Sequence, residues 1–259
     1  MAGEAAASPG GDVILQTQGL CKSFGPFRVV EGLNLVVRRN TIHALIGPNG
    51  AGKTTVFNLL TRFLPASSGT IVYNGVDITG RSAAEVALMG LVRSFQISAI
   101  FPDMTARENV RLALQRRTGM SLRFWRSERT LNALDGRADE LLDSVGLAGF
   151  ATTRAGDLPY GRKRALEIAT TLALEPEMLL LDEPMSGLAH EDIDRISELI
   201  RSVAGQRTVL MVEHNLSVVA NLSDQITVLS RGTVLAQGGY EAISSDPKVR
   251  EAYIGTEDE

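Results

Sequence analysis

One cysteine, Cys21, occurs in 259 residues, so no internal disulfide can staple the fold and a reducing compartment is expected. Three histidines beside that single cysteine leave no Cys/His cluster for structural zinc. No apolar run reaches the roughly 18 residues that a membrane helix needs. The opening MAGEAAASPGGD lacks the basic and apolar regions of a secretory signal, so neither a membrane span nor export by that route is expected. An excess of positive charge is also missing. Lys plus Arg number 26 against 30 Asp plus Glu, a net charge of -4, which argues against a chain built to coat nucleic acid. What is in surplus is glycine, at 25 residues. Hydrophobic and charged shares of 44% and 22% are those of a globular protein, long enough for one large α/β unit or two small ones.

Residues 1–12 are small and without period, and read as a leader without fixed structure. From there to about Asn74, the runs VILQTQ, LNLVV, TIHALI and GTIVYNG have strand character. TTVFNLLTRFL interrupts them, with Val56, Leu59, Leu60, Phe63 and Leu64 on one helical face. Between about Thr105 and Gly146 the pattern is helical (TARENVRLALQRR, GRADELLDSVGL) around an arginine-rich stretch. There Arg116, Arg117, Arg123, Arg126 and Arg129 flank Phe124 and Trp125. This stretch reads as a solvated helix face, with contact to RNA, lipid headgroups or a membrane partner as the alternative. Beyond Pro159 come a helix from about Lys163 to Leu174, the strand MLLLDE, a helix bearing Ile193, Ile196, Leu199, Ile200 and Val203, and the strand TVLMVEH. Helix and strand in turn predict βαβ units and a mostly parallel sheet covered on both faces. ITVLS and TVLAQ follow, joined through Arg231-Gly232, and then a polar helical tail.

Two motifs carry chemistry. Gly47-Pro48-Asn49-Gly50-Ala51-Gly52-Lys53-Thr54, followed by Thr55, satisfies GxxxxGK[ST] between the strand TIHALI and an amphipathic helix. Small residues let backbone N–H groups curl around phosphate oxygens, and the helix adds its positive end. Lys53 is placed to neutralise the β and γ phosphates, and Thr54 to hold Mg²⁺. The second motif is the apolar strand Met178-Leu-Leu-Leu-Asp182-Glu183, which ends in two carboxylates where open α/β sheets bind ligands. Asp182 suits contact with Mg²⁺, and Glu183 suits polarising a water for attack on the γ-phosphate.

From Val13 to Gly255 the chain resembles the nucleotide-binding domain of ABC transporters. The resemblance implies that Phe24 stacks on adenine, that Gln96 touches the metal and the attacking water, and that His214 contacts the γ-phosphate. It further implies that Ser186-Gly187-Leu188 faces a partner subunit. The family's signature, usually Leu-Ser-Gly-Gly-Gln, aligns with Leu158-Pro159-Tyr160-Gly161-Arg162. Pro159 has neither hydroxyl nor N–H, so a contact that serine gives is lost or replaced, with Arg162 as a source of charge. Tyr160-Gly161, Arg164 and Leu166-Glu167-Ile168, with the closing Ala-Tyr-Ile-Gly, look like the subgroup serving uptake of branched-chain and other hydrophobic amino acids.

The fold implied is a P-loop core with an antiparallel β subdomain and a helical subdomain. Residues 13–95 and 160–255 would form the core, 96–159 the helical arm and 256–259 an acidic tail. The implied activity is ATP hydrolysis in composite sites of a homo- or heterodimer at the cytoplasmic face of the inner membrane. ATP and Mg²⁺ are the cofactors, a transmembrane permease is the direct partner, and a solute-binding protein is an indirect one. Phe95, Ile97, Ile100 and Phe101 are candidates for the permease groove, with core packing as the alternative. Urea or amide uptake, lipopolysaccharide export and a non-transport ATPase are the alternatives.

Overall fold

The apolar runs at Ile42–Ile46 (β4), Met178–Asp182 (β8) and Thr208–Val212 (β9) are buried at every position. Such strands belong at the centre of a sheet covered on both faces. The computed structural model describes residues 12–94, 100–117 and 134–254. Expectations for residues 1–11, Phe95, Gln96, Ile97, Arg123, Phe124, Trp125, Arg126, Arg129, Gly255 and the acidic tail lie outside the described residues, as do the side chains of Arg116 and Arg117. Asp12 already belongs to the fold, its carbonyl accepting the Arg39 N–H at 2.7 Å.

The six-stranded sheet has the order β11-β10-β4-β9-β8-β7, with β7 (Leu91–Ser94), β10 (Gln225–Ser230) and β11 (Thr233–Gly238). All its pairings are parallel except the β10/β11 hairpin. A second, antiparallel sheet has the order β2-β1-β5-β6, with β3 also on β1. Its strands are β1 (Val13–Phe24), β2 (Phe27–Leu33), β3 (Val36–Arg38), β5 (Ser68–Tyr73) and β6 (Val76–Asp77). The mixed α/β architecture expected from the sequence is present.

Alternation along the parallel strands divides two cores. Ala44, Ile46, Leu179, Leu181, Val209 and Met211 join one core, while Leu45, Leu180, Leu210 and Val212 join the other. The second core includes the antiparallel sheet and helix α1 (Lys53–Leu60). The first is closed by helices α3 (Ala106–Arg117), α4 (Asp135–Ser144), α5 (Tyr160–Leu172), α6 (His190–Ala204) and α7 (Leu216–Leu222). It also takes in Ile243 of α8 (Tyr240–Ser245) and Val249 of α9 (Pro247–Ile254). Ile100, expected at a partner groove, is buried in this core, whereas Phe101 is exposed.

Three local expectations differ. LNLVV is split, because Asn34 and Leu35 leave the ladder between β2 and β3. Helix α1 ends at Leu60 because Arg62 takes a φ of 61°, so Phe63 lies outside it and is exposed. Helix α5 begins three residues early, at Tyr160, with Pro159 as its N-cap. Helix α2 (Ala83–Leu88) is an addition, started by a capping box between Ser82 and Glu85.

Candidate functional site

The loop between β4 and α1 needs its glycines. Gly47, Gly50 and Gly52 have φ of 149°, 77° and 101°, values that side chains rarely tolerate. A Cβ on Gly47 would lie 2.1 Å from the Leu229 carbonyl oxygen. The turn between β10 and β11 supports the loop, since the Gly232 N–H donates to the Ala51 carbonyl at 3.1 Å. Lys53 is buried, with Nζ donating to the carbonyls of Gly47 at 2.7 Å and Pro48 at 3.0 Å. Desolvation lowers its pKa below the ordinary lysine value, and the charges of Glu183 and Asp182 act the other way.

Opposite the loop, Asp182 ends β8 and is buried, its carboxylate paired with the guanidinium of Arg93 from β7. Arg93 also donates to the Asn58 side chain of α1, so one guanidinium ties together the three elements that frame the site. Glu183 has a φ of 46°, and its N–H donates to the Val212 carbonyl at 2.9 Å. Nε2 of His214 is 2.8 Å from Glu183 Oε1. Val29, Asn49, Gly50, Ala51, Gly52, Lys53, Thr54, Thr55, Glu183 and His214 line one cleft of about 250 Å³. The structure thus brings the phosphate loop together with Glu183 and His214. Phe24 stands apart from that lining at the exposed end of β1, with Lys22 Nζ 5.0 Å from its ring centre.

The donor set suits magnesium. Hydroxyl and carboxylate oxygens from Thr54 and Asp182 are hard ligands, and this ion keeps several waters rather than a full protein cage.

The signature segment runs from Leu158, ahead of α5, through the N-cap Pro159 into the helix's first turn. Gly161 is packed so closely that a Cβ there would lie 2.3 Å from the Asp192 carboxyl carbon. The Tyr160 hydroxyl donates to the Ser186 carbonyl at 3.3 Å, and its ring lies beside Gly187. Arg162, expected as a source of charge, stacks its guanidinium 3.9 Å from the ring centre of Phe150. Ser186 and Gly187 are exposed and Leu188 packs on the core.

Sequence reasoning missed two buried participants. Glu213 accepts the backbone N–H groups of Met185 at 2.8 Å, His214 at 3.0 Å and Asn215 at 3.3 Å, fixing the turn that carries His214. An acid closing the apolar run TVLMV was the available signal. Arg93 had no local signal, because its partner lies on a distant strand.

A family model described as ABC transporter matches residues 30–186. A second, described as branched-chain amino acid ATP-binding cassette transporter, matches residues 233–259. The chain is 40% identical over 252 residues to the high-affinity branched-chain amino acid transport ATP-binding protein BraF of Pseudomonas aeruginosa, covering 93% of this chain and 98% of that protein. It is likewise 40% identical over 254 residues to the corresponding protein LivG of Escherichia coli (strain K12), with coverage of 93% and 98%. Among solved structures, a nucleotide-free ATP-binding cassette from an ABC transporter superposes with a TM-score of 0.82 at 30% identity, covering 94% of this chain and 99% of that one. The ADP conformation of an ATP-binding cassette aligns with the same TM-score of 0.82 at 29% identity, again covering 94% and 99%.

Proposed function

Since this chain belongs to the ABC transporter family and is an ATP-binding, ATP-hydrolysing subunit of it, we propose that it powers uptake of branched-chain or other hydrophobic amino acids. It would do so by pairing head-to-tail with a second ATP-binding subunit, on the cytoplasmic face of the membrane, beneath a transmembrane permease. The observation that carries the site is the single cleft lined by Lys53, Thr54, Glu183 and His214. The amino-acid branch is supported by the match over residues 233–259 and by the similarity to BraF and LivG. The helical segment of about 96–159 is proposed as the arm that meets the permease.

In this reading the loop N–H groups and Lys53 hold the phosphates, and Phe24 stacks on the base. Thr54, Asp182 and Gln96 would hold Mg²⁺, which supplies charge neutralisation at the phosphates. Glu183 polarises the attacking water, and His214 holds both Glu183 and the γ-phosphate. Catalysis is then mostly positioning and charge stabilisation. The neighbouring subunit completes the site with Gly161 and the rest of its signature turn. The test is to purify the complex from membranes, reconstitute it in vesicles with its solute-binding protein, and measure ATP hydrolysis with leucine, isoleucine and valine. Stimulation by these amino acids is expected. Equal rates with and without them would overturn the substrate class.

A further inference from the structure

Tyr160 and Arg164 stand one helical turn apart on α5, and both land on the loop that carries the catalytic carboxylates. Arg164 is buried, and its fork is spent on main-chain oxygens. Nε donates to the Pro184 carbonyl at 3.1 Å, and Nη2 to those of Asp182 at 2.8 Å and Glu183 at 3.0 Å. Nη1 pairs with Glu167, one turn further along the same helix, at 2.7 Å. One guanidinium therefore holds three successive carbonyls. The middle one belongs to Glu183, whose φ of 46° persists in a residue with a side chain only where the surroundings over-determine it.

We propose that Arg164 is a positioning residue for Glu183, a strut that transmits the placement of the signature helix to the catalytic loop of the same chain. The planar fork is required, because an ammonium is a point donor that cannot span three oxygens. Tyr160 extends the strut, bonding Ser186 and packing on Gly187. This accounts for an aromatic where the family usually has glycine. The end of α5 that would meet the neighbouring subunit's nucleotide is thus tied, within one chain, to the carboxylate that would act on its own. The inference rests on Glu183 polarising the attacking water.

The test uses the purified transporter complex. Arg164→Met alone would strand Glu167 as an unpaired buried charge, so the informative variants are Arg164→Met/Glu167→Met, which removes both charges, and Arg164→Lys, which keeps the ion pair but not the fork. Each is expected to lower kcat by at least about tenfold while the Kd for ATP, read with a fluorescent analogue, moves by less than about twofold. In a Glu183→Gln background, adding Arg164→Lys is expected to leave the residual turnover unchanged, because the two residues act as a unit. Full kcat in Arg164→Lys, a Kd that shifts together with kcat, or multiplicative effects in the Glu183→Gln background would each overturn the strut. Full turnover in Glu183→Gln alone would overturn the assignment of Glu183 itself.

Discussion

Nε2 of His214 lies 2.8 Å from Oε1 of Glu183, joining the turn after β9 to the turn after β8 across the mouth of the phosphate cleft. Both turns are held from behind. Glu213 fixes the backbone of the histidine turn, and Arg164 fixes the carbonyls of the carboxylate turn. Glu183→Gln is expected to keep ATP binding, lose at least about a hundredfold in turnover and accumulate as an ATP-bound dimer. Phosphate release and size-exclusion chromatography with ATP read both effects. Hydrolysis at the parent rate would remove Glu183 from the mechanism.

Two glycines of the site should respond differently to alanine. At Gly47 the added methyl meets the Leu229 backbone carbonyl at 2.1 Å, so the loop itself must move. Loss of ATP binding with about 2 kcal/mol or more of destabilisation is expected. At Gly161 the methyl meets the Asp192 carboxylate, the end of a side chain paired with Arg195. Gly161→Ala should therefore be relieved by adding Asp192→Ala. Thermal melting of the single and double variants checks this, and a double variant no more stable than Gly161→Ala alone would be evidence against it.

Pro159→Ser should be active and nearly neutral in stability. A serine N-cap contributes about 0.5–2 kcal/mol. Loss of the ring costs about 0.4–1 kcal/mol through the unfolded chain. The two largely cancel, so Tm should move by no more than about 4 °C. A folded but inactive serine variant would show that the proline has a role of its own.

Removing the ring of Phe24 should weaken nucleotide binding more than it slows hydrolysis. Base stacking on an aromatic is worth about 1–3 kcal/mol, so Phe24→Ala should raise KM for ATP by about five- to 150-fold with kcat within about twofold. A fall in kcat at unchanged KM would place the ring elsewhere.

His43 gives the fold an acid-sensitive element away from the chemistry. It lies in β4 with Nε2 2.8 Å from the Thr227 hydroxyl, and burial pushes its pKa from 6.5 down to about 4. The unfolded chain binds the proton more readily over that range. Stability from this group is therefore complete above pH 6.5 and is lost as pH falls towards about 4. The loss amounts to roughly 3 kcal/mol. Melting curves from neutral pH down to pH about 4.5 should fall more steeply for the parent than for His43→Gln. Parallel curves would contradict the assignment.

Much of this was legible because the informative residues are local. β4, β8 and β9 announce themselves as unbroken apolar runs, since both of their faces are covered. The phosphate loop is readable because its glycines, lysine and threonine are consecutive. The pairing of Arg93 with Asp182 is not readable, because each lies on its own strand and only the sheet order makes them neighbours. Tyr160 marks the subgroup in the sequence, but its bond to the Ser186 carbonyl shows only in the fold. The stacking of Arg162 on Phe150 is not readable either, because the two residues are brought together only by the fold. The short helix α2 was a miss with a readable signal, Ser82 and Glu85 at capping-box spacing, as Glu213 was at the end of TVLMV.

The sheet order also sets a timetable. β4, which launches the phosphate loop, pairs with β9 and β10, and the loop rests on the turn at Gly232. All three are made long after the loop itself has left the ribosome. An early segment thus carries the motif, while β9, β10 and the turn at Gly232 give it shape, so a nascent subunit gains its nucleotide cradle only once those later segments have emerged.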